Sequence, residues 1–73
     1  MESSKTVDAR GLSCPQPAML TRQVLQGLAG GRVEVLVDSG TARENVSRLA
    51  ASSGWQVNVE PRPGDSFRLV LTK

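Results

Sequence analysis

Arg32-Val33-Glu34-Val35-Leu36-Val37-Asp38 decides the architecture. Val33, Val35 and Val37 share one face of an extended chain and Glu34 takes the other, the period-two pattern of a strand buried on one side. The pattern recurs three times. Val7 and Ala9 share a face within Lys5 to Arg10, Trp55, Val57 and Val59 within Trp55 to Glu60, and Phe67, Leu69 and Leu71 within Phe67 to Thr72. Opposite them stand mostly polar residues: Thr6, Asp8, Arg10, Gln56, Asn58, Glu60, Arg68 and Thr72. Four strands with one apolar face each predict a sheet whose other face is open to water.

Two stretches between these strands carry helical spacing. Pro15 to Ala29 puts Leu20, Val24, Leu25 and Leu28 on one arc, with Met19 on the opposite arc beside Arg22, Gln23 and Gln26. It stops at Gly30-Gly31, a C-terminal glycine signal. Ala42 to Ser53 buries Ala42, Val46, Leu49 and Ala50 and leaves Arg43, Glu44, Ser47 and Arg48 in water, Glu44 and Arg48 forming an i,i+4 pair. Thr41-x-x-Glu44 reads as its capping box, with Asp38 closing the strand ahead of it. Pro61 to Ser66 is a hairpin loop. A sheet with one apolar face needs both helices on that face. The expected fold is an α/β (α+β) two-layer sandwich in the order β-α-β-α-β-β, with a four-stranded mixed sheet, as a single domain over residues 1–73.

The 73 residues carry nine Lys and Arg against seven Asp and Glu, with one cysteine and no histidine. Without histidine, neither a Cys-His pair nor a Ser-His-Asp arrangement is available. One cysteine forms no internal disulfide, and no zinc-ligand cluster is evident, so no metal or other cofactor is expected. The interspersed charges give nucleic-acid binding little support, since that function wants a basic stripe and stacking aromatics. The N-terminus shows no signal-peptide pattern and no run reaches membrane-spanning length. A free thiol in such a chain points to the cytoplasm.

That thiol is Cys14, at a strand-to-helix junction in Gly11-Leu12-Ser13-Cys14-Pro15-Gln16-Pro17. Prolines suit a first helical turn because its N–H groups have no intrahelical partner. The positive end of the helix dipole faces the sulfur and favours thiolate, which at an ordinary pKa near 8.5 is only about 3% of the thiol at neutral pH. Pro15 and Pro17 offer no N–H, so beyond Gln16 the first turn holds the sulfur lightly. Free cysteines are commonly buried as small apolar residues; the flanking prolines argue here for a chemical role.

The segment Val7 to Pro17 resembles the TusA/SirA-like sulfur-carrier family, whose signature is Cys-Pro-x-Pro at the start of the first helix. Val37 to Arg48 and Gly54 to Val57 are similar to the N-terminal domain of YedF-type proteins, linked with selenium metabolism. YedF-type proteins usually continue into a DsrE-like second domain; this sequence stops at Lys73. The resemblance implies the same β-α-β-α-β-β fold. It also implies a sulfur carrier, or sulfurtransferase, whose motif cysteine holds a persulfide and passes its terminal sulfur between proteins. That role falls on Cys14, supported by Pro15, Pro17 and Gly11, and needs no cofactor beyond the covalent persulfide. A cysteine-desulfurase-type donor and an acceptor protein are the implied partners. Arg10, exposed Met19 and Arg22 are candidate partner contacts. The competing function is a binding module that docks through the open sheet face, where Leu36 and Val70 are apolar and Cys14 is incidental.

Overall fold

The computed structural model describes residues 4–12 and 16–73. Its elements run β1 (Ser4–Asp8), α1 (Gln16–Gln26), β2 (Arg32–Val37), α2 (Gly40–Ser52), β3 (Gln56–Arg62) and β4 (Ser66–Thr72). The sheet order is β1-β2-β4-β3. β1 and β2 are parallel, with Asp8 opposite Leu36. β4 is antiparallel to β2 and to β3, with Val35 opposite Leu69 and Val59 opposite Leu69. The last strand therefore inserts between two earlier ones. No helix among the described residues is long and apolar enough to cross a membrane.

The period-two reading holds where helices lie over the sheet. Ala9, Val33, Val35, Val37, Leu69 and Leu71 are fully buried, and Trp55 nearly so, against Leu25, Ala42, Val46 and Ala50 from the helices. It fails at the edge. Val59 was expected inside and is 42% exposed. β3 is an outer strand, and burial declines along it from Trp55 through half-buried Val57 to Val59.

Helix α1 is rotated from the expected arc. Its buried stripe is Pro17, Thr21 and Leu25, four residues apart, with Val24 and Leu28 half-buried beside it. Leu20 lies about 100° round the axis from Thr21, which puts it at the rim, 37% exposed. Thr21 can occupy the stripe because its hydroxyl donates to the Pro17 carbonyl at 2.9 Å, so no polar atom is buried unpaired.

Helix α2 starts earlier than Thr41-x-x-Glu44 implies. Ser39 is the N-cap, its hydroxyl accepting from the Ala42 N–H at 3.1 Å, which leaves Thr41 inside the helix. Its far end is closed by Gly54 at φ 87°, with Gly54 N–H donating to Ala51 and Trp55 N–H to Ala50. These two bonds form a Schellman closure, which needs a residue that accepts positive φ, and they deliver Trp55 into the core. Arg43 is not free in water: its guanidinium carbon sits 4.7 Å from the centre of the Phe67 ring. No ion pair among the described residues joins Glu44 to Arg48.

The outer sheet face differs from expectation too. Arg68 pairs with Glu34 across β2–β4 and with Glu60 across β4–β3 at 3.4 Å, and Arg32 approaches Glu34 at 3.9 Å. Val70, expected as an exposed apolar residue there, is 7% exposed. It stands opposite Glu34 on one side and Asn58 on the other, two residues along from Arg68. Long charged side chains cover apolar surface with their stems in this way. Leu36 is half-buried.

Candidate functional site

The candidate site lies where parallel strands β1 and β2 end. After Asp8 the chain stays attached to β2 for one more residue, the Ala9 N–H donating to the Leu36 carbonyl at 2.9 Å. Arg10 then turns back. Its guanidinium grips Asp8 through two 2.9 Å bonds, Nε to Oδ1 and the terminal nitrogen to Oδ2, and its backbone N–H reaches Oδ1 at 3.2 Å. The Arg10 fork, helped by its backbone N–H, holds the Asp8 carboxyl at about 2, and Asp8 in turn raises the Arg10 pKa. Such two-point pairing fixes direction as well as charge.

Gly11 follows at φ 77°. Its N–H donates to Asp38 Oδ2 at 2.8 Å, a bond between residues 27 apart in sequence that links the connection after β1 to the one after β2. Asp38 therefore does not cap α2, which Ser39 does; it holds the loop that leads to the thiol. A Cβ at Gly11 would meet nothing within 4 Å, so the requirement for glycine is the left-handed backbone rather than space. Leu12 then packs against the core, half-buried.

Cys14 and Pro15 lie outside the described residues, with Ser13 and residues 1–3. In sequence Cys14 is two residues from Leu12 and two from Gln16. Those two flanking residues belong to one surface feature. Leu12, Gln16, Met19 and Leu20 line an open, mostly apolar concavity of about 280 Å³. Met19 is 60% exposed, as its position opposite the buried arc predicts, and Leu20 joins it. Pro17 does more than punctuate the helix start: its ring is fully buried in the stripe that seats α1.

The three candidate contact residues do not come together. Met19 lines the concavity beside the motif. Arg10 lines another of about 230 Å³ with Leu36, Arg62, Pro63, Ser66 and Phe67, and its guanidinium is engaged by Asp8. Arg22 lines a third with Leu25, Gln26, Leu28, Ser53, Trp55 and Lys73. Asp38 and Leu20 are the residues that sequence reading missed. Register would have found Asp38: with Asp8 opposite Leu36 in parallel strands, the residues two and three further along each strand are bound to be neighbours. Among the described residues no group of three or more His, Cys, Asp or Glu side chains could hold a metal.

A two-layer α/β sandwich whose single cysteine falls, in sequence, between Leu12 and Gln16 of one apolar hollow defines a class of small thiol-bearing domains. The chain belongs to the Sulfurtransferase TusA family, whose model matches residues 5–73. It is 34% identical over 70 residues to "Putative sulfur carrier protein MJ0990" of Methanocaldococcus jannaschii, covering 94% of this chain and 93% of that protein. It is 28% identical over 74 residues to "Putative sulfur carrier protein YrkI" of Bacillus subtilis, covering 100% and 99%. The crystal structure of a SirA-like protein from Desulfitobacterium hafniense superimposes with a TM-score of 0.87 at 30% identity, covering 93% of this chain and 95% of that one. Family and relatives together support a sulfur-carrier role, and with it partners in sulfur relay.

Proposed function

We propose that the protein carries sulfane sulfur as a persulfide on Cys14 and relays it between a donor such as a cysteine desulfurase and an acceptor protein. The observation that carries this reading is the apolar shoulder that follows the cysteine in sequence, exposed Met19 and Leu20, with half-buried Leu12 lining the same hollow. A thiol that exchanges sulfur with proteins needs a surface to dock them, and exposed apolar side chains contribute most to such contacts.

The chemistry requires nothing that the chain lacks. The Cys14 thiolate attacks the terminal sulfur of the donor's persulfide. A new S–S bond forms to Cys14 as the donor's S–S bond breaks, and the donor cysteine leaves as its thiolate. In the second step an acceptor nucleophile attacks the same terminal sulfur and Cys14 leaves as thiolate. The sulfur keeps its oxidation level throughout, so no external oxidant or reductant enters, and selenium would follow the same bonds. The first turn of α1 holds no acidic residue to offset the dipole that favours thiolate. A thiol of this kind persists in a reducing compartment, which fits the cytoplasm.

Intact mass spectrometry after incubation with a cysteine desulfurase and cysteine tests the reading. One added sulfur of about 32 Da on wild type, absent from Cys14→Ser and removed by reductant, is the expected result. An unmodified wild-type mass would sink it.

A further inference from the structure

We infer that Asp38 is a positioning residue for the cysteine loop, acting through its hydrogen bond to the Gly11 N–H. The inference rests on the reading of Cys14 as the sulfur-bearing residue and extends it to a residue on a different connection.

Sheet pairing ends with β1, and two anchors remain beyond it. The Ala9 N–H to Leu36 carbonyl bond still belongs to the sheet edge. The Gly11 N–H to Asp38 bond does not: at 2.8 Å, to a carboxylate from the opposite connection, it is the last described backbone bond before the motif. It acts where the chain changes direction, since Gly11 holds φ 77°. Cys14 follows three residues later in the chain, so the direction set at Gly11 is the direction in which the chain enters the motif.

Three features argue that the contact is more than a generic turn bond. Asp38 is free to make it, because Ser39 supplies the α2 cap. Arg10 is not a rival donor, because both arms of its fork are on Asp8. A carboxylate acceptor makes a shorter, stronger bond to N–H than a neutral oxygen does. The acceptor also sits one residue beyond fully buried Val37 at the end of a core strand. Asp38 thus transmits the position of the core strand β2 to the loop that carries the thiol.

Two variants separate positioning from bulk stability and from charge. Asp38→Ala removes the acceptor; Asp38→Asn keeps an oxygen in place and removes the charge. Three readouts are compared in the full chain: sulfur loading from a cysteine desulfurase, alkylation of Cys14 by iodoacetamide across pH, and hydrogen exchange at the Gly11 amide. For Asp38→Ala, loading is expected to fall about tenfold and Gly11 exchange to speed up by a similar factor. Alkylation should stay within about twofold at every pH, because a small reagent does not depend on docking geometry. Asp38→Asn should restore most of the loading. Unchanged loading in Asp38→Ala would overturn the inference, as would an equal loss in Asp38→Asn, which would assign the effect to charge. Wild-type protein that takes up no sulfur would overturn the carrier reading instead, and Gly11 exchange would still report whether the bond holds the loop.

Discussion

The outer sheet face and the shoulder of α1 are both exposed surfaces, and they are built on opposite principles. The sheet face pairs its charges: Arg68 lies between Glu34 and Glu60, Arg32 adds to Glu34, and of the two apolar residues on that face Val70 is buried and Leu36 half-buried. The shoulder leaves its apolar groups unanswered. Met19 and Leu20 stand in water beside Leu12, and among the described residues no charged side chain lines the hollow between them. A surface that satisfies itself contributes to folding. A surface that does not is available to a partner. The proposed docking of partners at the start of α1, rather than on the sheet, rests on this difference.

Four substitutions test that division, in decreasing order of effect. Cys14→Ser should abolish sulfur uptake outright, read by intact mass, with an unchanged circular dichroism spectrum. Met19→Glu places a charge at the centre of the shoulder and should slow sulfur transfer between protein partners by about tenfold while leaving thermal stability within about 0.5 kcal/mol. Transfer at the wild-type rate would break the assignment of the shoulder. Glu34→Gln should do the reverse: a loss of about 1 kcal/mol in urea unfolding, since its pairs are partly buried, with transfer unaffected.

Arg10→Ala sharpens the comparison at low pH. Asp8 is held at about 2 against its ordinary 3.8, chiefly by the Arg10 side chain. A carboxyl whose pKa is lower folded than unfolded adds stability above the unfolded value, and that stability is lost as pH falls through the folded one. The Asp8–Arg10 contribution is therefore complete above about pH 3.8 and disappears toward about pH 2. In Arg10→Ala the Asp8 carboxyl carbon should titrate near 3.8 by NMR, and the acid limb of the stability profile should flatten.

The strands, their buried faces and the two-layer plan were legible because a period of two leaves little choice once helices must cover a single face. Edges were less legible. Whether Leu20 or Thr21 turns inward depends on how α1 seats against the sheet, and buried Pro17 belongs to that seat, whereas sequence reading took it as helix punctuation and a support of the cysteine motif, not as core. Val59 keeps its strand phase but lies on an outer strand, a fact of strand order that alternation does not contain. Asp38 reads alone as a turn residue; its partner Gly11 becomes visible only when β1 and β2 are known to be parallel neighbours in register. The charges of Glu34, Arg68 and Glu60 were visible, but not that they pair over Val70, since that follows from β4 lying between β2 and β3.

The position of β4 also has a consequence for synthesis. A chain leaving the ribosome at about 5–20 residues per second presents β1, α1 and β2 as a unit that can pair at once, whereas β3 emerges with no strand to bond to. Both β2 and β3 wait for Ser66–Thr72, which bonds to each along its full length. Two of the sheet's three ladders are thus postponed to the final stretch of translation of this domain. A nonsense or frameshift lesion there strikes the middle of the sheet, and the nascent chain it leaves behind exposes two unpaired edges to aggregation.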